Sequence, residues 1–310
     1  MRPTSLDRDS RAGAQLERGH GHGHGHGHGR SRGLAVEGAQ LAYERRVVAT
    51  DLDLELPTDA FTVIVGPNAC GKSTLLKALA RVIAPVEGRI LLDGRDLHRL
   101  RTKEIARRIG LLPQGAVTPE GIRVDDLVAR GRYPHHSPLR QWSRADDTAV
   151  TAAMDSTGVS DLATRFVDEL SGGQRQRVWI AMLLAQETPI LLLDEPTTYL
   201  DIAHQYDVLD LLRDQHETGR AVIAVLHDLN QAARYATHLV VMKDGHVVAT
   251  GAPADVLTAD LVEQVFGLSC LIAADPVTGT PTVVPLDRRG RGYTADPIAG
   301  SHKCQTPVKM

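Results

Sequence analysis

The chain has 310 residues, 42% of them hydrophobic, with 35 basic and 38 acidic side chains for a net charge of −3. That mix excludes a wholly disordered chain, and nothing approaches the run of about 18 apolar residues that a transmembrane helix needs. With only 4% aromatics and no basic excess, no nucleic-acid partner is expected.

The elements follow in chain order. Residues 1–33 are polar and Gly-rich and read as a disordered tail, with no apolar signal-peptide core. Within them His20, His22, His24, His26 and His28 alternate with Gly. Clustered imidazoles bind transition metals, and the other reading is a flexible low-complexity tail. Leu52, Leu54 and Leu56 alternate with Asp51, Asp53 and Glu55, as in a half-buried strand. Phe61–Val65 is a short apolar, β-branched strand, followed by a Gly-rich turn and a helix over Thr74–Arg81. Arg89–Leu92 is a strand running into the tight turn Asp93-Gly94. From about Pro119 to Leu170 the rhythm changes to amphipathic helical stretches (Val124–Ala129, Asp146–Thr157) without a convincing strand. Ile190–Leu193, Ala221–Leu226 and Leu239–Met242 are wholly apolar strands separated by helices at Ala203–His216 and Leu229–Ala236. Such alternation predicts a parallel sheet covered on both faces. Lys243-Asp244-Gly245 is a hairpin turn signal. Cys270–Pro285 predicts a small hairpin around Asp275–Gly279, and residues 287–310 read as a second loose tail. Cys70, Cys270 and Cys304 are too few for a disulfide framework, which points to a reducing, cytoplasmic setting.

Two motifs carry chemistry directly. Gly66-Pro67-Asn68-Ala69-Cys70-Gly71-Lys72-Ser73-Thr74 lies between a strand and a helix and fits G-x-x-x-x-G-K-[ST]. Its glycines let successive backbone N–H groups face a polyphosphate at the positive end of a helix dipole. Lys72 neutralises phosphate charge there, and the Ser73 hydroxyl suits Mg²⁺. Cys70 is either a redox-sensitive thiol or a small filler. The strand Ile190–Leu193 ends in Asp194 and Glu195, where the carboxyl ends of parallel strands line the ligand crevice. Asp194 suits a Mg²⁺ contact, and Glu195 suits deprotonating an attacking water.

Leu170-Ser171-Gly172-Gly173-Gln174, between these two motifs and opening a helix, is similar to the LSGGQ signature of ATP-binding-cassette ATPases. The resemblance runs over about residues 34–286. It implies one ATPase domain there: a P-loop NTPase core with a mixed sheet, flanking helices and an N-terminal antiparallel β region, plus a helical subdomain at about 119–180. It implies that Tyr43 stacks on adenine, although a core tyrosine is the other reading, and that Gln114 reaches Mg²⁺ and links core to insertion. It implies that Asp201 touches an opposite subunit and that His227 contacts the γ-phosphate. Ser171, Gly172, Gly173 and Gln174 then face the ATP of a second copy, so a homodimer with two composite sites is expected. Ala69 stands where many relatives have Gly, and is strained if that position needs a positive φ.

Val128–His135, Thr197–Gln205, Val225–Ala232 and Asp275–Pro281 resemble the ATPases of iron(III)-siderophore importers of the ferric-enterobactin type. That resemblance implies ATP and Mg²⁺ as cofactors and a peripheral place on the cytoplasmic face of the membrane. Two integral membrane permease subunits and an extracytoplasmic siderophore-binding protein are the implied partners. Arg130–His136 is the candidate permease contact, with a solvated charged face as the alternative for Arg130 and Arg132. Haem and cobalamin remain alternative cargoes.

Overall fold

The computed structural model describes residues 33–44, 46–136, 142–198 and 200–287. The expectations for 1–32, including the Gly-His run, and for 288–310 lie outside the described residues.

β1 (Gly33–Tyr43) and β2 (Arg46–Pro57) pair antiparallel, with Val36 opposite Leu54. The alternation in β2 does what its pattern requires: Leu52, Leu54 and Leu56 are buried, and Asp51, Asp53 and Glu55 are exposed. β3 (Phe61–Val65) runs through the Gly-rich loop into α1 (Lys72–Leu79), followed by β4 (Glu87–Leu92) and β5 (Arg95–Asp96). Next come α2 (Thr102–Ala106), β6 (Ile109–Leu112), and the helices α3 (Val124–Ala129), α4 (Arg144–Ser156) and α5 (Gly172–Ala185). β7 (Ile190–Asp194), α6 (Ile202–Glu217), β8 (Ala221–Val225) and α7 (Leu229–Tyr235) complete the alternating core. The chain continues through β9 (His238–Lys243), β10 (His246–Gly251), α8 (Pro253–Val256), α9 (Ala259–Phe266), β11 (Cys270–Ala274) and β12 (Pro281–Pro285).

Three sheets result. β2-β1-β4-β5 is antiparallel, β10-β9-β3-β8-β7-β6 is parallel except for its β10 edge, and β11-β12 is the hairpin expected from the sequence. The strands β3, β7 and β8 are buried at every residue, because the large sheet is covered on both faces. Ile64, Leu192 and Ile223 face one core with α1 and the antiparallel sheet. Val63, Leu193 and Ala224 face the other, shared with the helical insertion, α6 and α7.

Two differences from the sequence reading are local. α1 starts at Lys72 rather than Thr74, since the phosphate-loop residues Lys72 and Ser73 already take helical geometry. β6 was not legible as a strand. Its Gly110 breaks the apolar run, yet a Cβ there would lie 2.5 Å from Leu183 Cδ1 and 2.8 Å from Thr188 Oγ1, so these side chains pack closely against the strand where it has no side chain of its own.

This topology sets the site. In the strand order β3-β8-β7-β6, the Gly-rich loop leaves the carboxyl end of β3, His227 that of β8, Asp194-Glu195 that of β7 and Gln114 that of β6. Parallel neighbours bring all four to one end of the sheet.

Candidate active site

The Gly-rich loop is shaped by close backbone approach. A Cβ on Gly66 (φ 156°) would sit 2.2 Å from the Met242 carbonyl oxygen and 2.8 Å from Cys70 Sγ. Gly71, at φ 104°, occupies the N-cap of α1 and offers no side-chain cap. Helices α5, α6, α7 and α9 are capped by Ser171, Asp201, Asp228 and Thr258. α1 differs: it has neither a side-chain cap nor an acidic residue in its first turn, so its leading N–H groups and positive dipole end are available to an anion. Lys72 is 5% exposed, and its Nζ donates to the carbonyls of Gly66 and Pro67 at 2.8 Å each. Ala69 does sit in the left-handed region, at φ 62°, a conformation costing an L-residue about 1–2 kcal/mol. Cys70 is buried, and burial pushes its thiol pKa up. That is the environment of a packing residue and not of an activated thiolate.

Opposite the loop, Ser73 Oγ donates to Asp194 Oδ1 at 2.8 Å. Asp194 is 2% exposed, and burial raises its carboxyl above the ordinary range. Its Oδ2 is buried and has no hydrogen-bond partner. An orphaned carboxylate oxygen beside a hydroxyl fits a hard divalent cation, which takes oxygen ligands. Glu195 is held at φ 54°, a strained conformation typical of functional positions. Its Oε2 accepts from Gln114 Nε2 at 2.7 Å and from Thr198 Oγ1 at 3.1 Å, and its Oε1 lies 2.6 Å from His227 Nε2. The structure therefore brings Gln114, Glu195 and His227 into one contact cluster.

These groups border a cleft of about 860 Å³ that also includes Tyr43, Asn68, Ala69, Gly71, Lys72, Ser73 and Thr74. Tyr43 is 45% exposed, and Lys77 Nζ lies 5.1 Å from its ring centroid, so its face is presented rather than packed in a core. Ser171, Gly172, Gly173, Gln174 and Asp201 do not line this cleft. Ser171 and Gln174 cap α5 reciprocally, Ser171 Oγ accepting from Gln174 N at 3.3 Å and Gln174 Oε1 from Ser171 N at 3.1 Å. A Cβ added at Gly172 would meet nothing within 4 Å, so the face of that turn is open. Asp201 caps α6 and bonds the backbone of His204 at 3.0 Å. The N-termini of α1 and α5 therefore lie apart, and only the first borders the cleft. Sequence reasoning missed Thr198, whose only cue was its place in the stretch after Glu195. The β9–β10 turn lies where its Lys243-Asp244-Gly245 signal places it, but its part in the site was missed: Gly245 N donates to the Cys70 carbonyl at 3.2 Å and steadies the loop.

The structure corrects the reading of Arg132 as a docking or solvated residue. Its side chain is 4% exposed and that of Asp146 is 0% exposed. Nε donates to Asp146 Oδ1 at 2.9 Å, and Nη1 donates to the Ala185 carbonyl and to Glu187 Oε2 at 2.6 Å each. Hydrogen bonds from Ser143 and Arg132 hold the Asp146 carboxyl far below the usual range. Arg132 is an internal bolt between α4 and the α5–β7 turn. Arg132→Met is expected to destabilise the chain by about 3 kcal/mol, because it takes the guanidinium from a buried carboxylate that keeps only its Ser143 bonds and His136 Nε2 at 3.5 Å. Urea unfolding followed by tryptophan fluorescence checks this. A change below about 1 kcal/mol would place the pair among solvent-screened surface bridges. Arg130 is exposed and borders a groove of about 430 Å³ with Glu120, Tyr133 and Trp142.

Comparisons with known proteins decide the family. The family described as ABC transporter matches residues 49–198. The ferric enterobactin transport ATP-binding protein FepC of Escherichia coli strain K12 is 55% identical over 81% of this chain and 93% of its own length. The chain belongs to the ABC transporter ATP-binding family. It is an ATP-hydrolysing ABC cassette, and the mixed α/β fold with a helical insertion expected from the sequence is the one found. The probable siderophore transport system ATP-binding protein YusV of Bacillus subtilis strain 168 is 49% identical over 87% of this chain and 98% of its own length. A solved metal-chelate type ABC transporter in an inward-facing conformation matches with a TM-score of 0.71 and 29% identity, over 83% of this chain and 98% of that chain. No described helix of the cassette is long and apolar enough to cross a membrane.

Proposed function

We propose that this cassette powers import of an iron(III)-siderophore. The observation that carries the reading is the 55% identity to a ferric enterobactin ATP-binding protein over 93% of that relative. The cassette works as a homodimer on the cytoplasmic face of the membrane, against two permease subunits served by an extracytoplasmic siderophore-binding protein.

The site chemistry supports each role. Lys72 is a buried ammonium without a carboxylate at ion-pair distance among the described residues, so a polyphosphate compensates it. The open N-terminus of α1 receives the same phosphates, and Tyr43 offers its ring to the adenine. Ser73 and Asp194 would hold Mg²⁺, with Gln114 nearby, and the ion would supply positive charge against the phosphate oxygens. Glu195 takes the proton of a water whose oxygen bonds to the γ-phosphorus as the bond to the β–γ bridging oxygen breaks. His227 and Gln114 orient that carboxylate. Ser171, Gly172 and Gly173 face outward because their ATP belongs to the second copy. The groove bordered by Arg130, Tyr133 and Trp142 receives a permease segment.

The test is uptake of radio-iron-labelled ferric enterobactin in cells lacking the chain's gene. Uptake is expected to return with the native chain and not with the ATP-site variant Lys72→Ala. Undiminished iron uptake without the chain, with haem or cobalamin uptake lost instead, would reassign the cargo.

A further inference from the structure

His227 is mounted by the backbone on either side of it. Its side chain is 47% exposed and lies against Glu195 at 2.6 Å, so the ring itself is lightly packed. Upstream, Leu226 N donates to the Ile64 carbonyl at 3.2 Å and fixes the end of β8. Downstream, α7 begins two residues on and is only seven residues long. A helix that short does not hold itself in water, so its tertiary anchors decide where the first turn sits.

Those anchors are directional. Asp228 caps the turn, accepting from Asn230 N and Gln231 N at 2.8 Å each. Gln231 donates Nε2 to Gln205 Oε1 at 2.7 Å, and Gln205 donates to the Leu200 carbonyl at 3.0 Å, beside Asp201. At its far end Tyr235 Oη donates to Asp210 Oδ1 at 2.8 Å, and the anchor beside the first turn is the β11–β12 hairpin. Asn230 Oδ1 accepts from Val283 N at 2.7 Å, and its Nδ2 donates to the Val283 carbonyl at 3.3 Å. One side-chain amide thereby takes both main-chain groups of one residue, as a neighbouring strand would. Four residues along α7, Arg234 reaches Asp275 in the hairpin turn at 3.5 Å. Asp275 in turn holds that turn by accepting from Val277 N at 2.8 Å and Thr278 N at 3.0 Å.

We propose that Asn230 is a positioning residue for His227, and that the C-terminal hairpin, through Val283, is the anchor it uses. The proposal rests on the reading of His227 as the residue facing the γ-phosphate. Apolar packing of the hairpin on α7 would bury the same area but is non-directional and tolerates sliding. The paired amide bonds fix the register of α7, and with it the backbone on the downstream side of His227. Asn230 does not line the cleft, and its hydrogen bonds go to Asp228 and Val283 and not to Glu195, so its effect falls on turnover and not on nucleotide affinity. Displacement of a reacting group by about 1 Å can cost about 100-fold in rate, which gives the hairpin leverage over a residue it does not contact.

The test uses the full chain with saturating Mg²⁺ and ATP varied up to saturation, comparing native, Asn230→Ala, Asn230→Asp and His227→Ala. Asn230→Ala is expected to lower kcat about tenfold with KM for ATP within about twofold. Amide hydrogen exchange is expected to quicken at 228–232 and 281–285 and nowhere else. Asn230→Asp keeps the acceptor for Val283 N and loses the donor, so its kcat falls between the two. A native kcat in Asn230→Ala alongside the faster exchange would make the clamp structural only. A loss in both Asn230 variants that merely tracks their Tm would overturn the proposal as well. Full activity in His227→Ala would remove the assigned role of His227 itself, an outcome distinct from a normal Asn230→Ala beside an inactive His227→Ala.

Discussion

Glu195→Gln is expected to lower kcat for ATP by at least about a hundredfold, the lower end of what a positioned general base contributes. ATP binding survives in this variant, and the dimer stays closed around it. Shape is preserved, so the effect isolates the proton acceptor. The geometry makes the outcome sharper than simple loss of charge. Glu195 Oε2 accepts from Gln114 Nε2 at 2.7 Å and from Thr198 Oγ1 at 3.1 Å. With Gln114 and Thr198 donating as they do in the native chain, a carboxamide keeps its oxygen on that side. Its NH₂ then faces His227 Nε2, the position 2.6 Å from Oε1 in the native chain. His227 can accept that bond only as the tautomer protonated on Nδ1. The variant therefore locks the histidine and lacks a base, with the phosphate loop intact. Single-turnover phosphate release measures the first effect, and size-exclusion chromatography with Mg²⁺ and ATP measures the second. A kcat within about tenfold of native would remove Glu195 from the role of base. A chain that binds ATP but elutes as a monomer would contradict a closure formed by two copies.

The part of this site that was legible in the sequence is the part built from contiguous residues. The loop Gly66–Thr74 and the pair Asp194-Glu195 announce themselves because each combines a strand with chemistry at its end, and β3 has the bounds its apolar run predicts. Gln114 and His227 could be placed only through family resemblance, since neither sits in a diagnostic local pattern. What the sequence hid depends on distant partners. Arg132 lies in a stretch that reads as a charged face, and charged residues are exposed by default. Its burial follows from Asp146 and Glu187, which are 14 and 55 residues away. Asn230 looks like an ordinary residue in a first helical turn, and its partner Val283 is 53 residues further on. β1 was obscured for another reason. Its register shifts between Val36 and Ala39 and again beyond, so the alternation that revealed β2 is broken. Long-range polar pairing and bulges leave no periodic trace, whereas burial on one face does.

Lys72→Ala is expected to abolish ATP hydrolysis and to weaken nucleotide binding by at least about tenfold, since a charged hydrogen bond contributes about 1.5–3 kcal/mol. It is not expected to unfold the chain. Lys72 is 5% exposed, and its Nζ is held by the Gly66 and Pro67 carbonyls at 2.8 Å. Without nucleotide those bonds work against the desolvation of a buried ammonium, a cost of several kcal/mol even after relaxation. Removing the charge relieves that cost while giving up the two bonds, so the opposing changes leave the melting temperature without nucleotide within a few degrees of native. The difference appears only when ATP is added. A ligand that binds the native state alone stabilises it by RT ln(1 + [L]/Kd), about 2.7 kcal/mol at a hundredfold excess over Kd. The native chain is expected to gain that increment with Mg²⁺ and ATP, and Lys72→Ala to lose most of it. Thermal melting of both proteins with and without nucleotide separates the cases. A variant that melts far below native without ATP would make Lys72 a structural residue whose loss of activity says nothing about phosphate. A variant that keeps the full ATP-induced shift and its ATPase rate would remove the Gly66–Thr74 loop as the nucleotide site, because no other buried cation borders the cleft among the described residues.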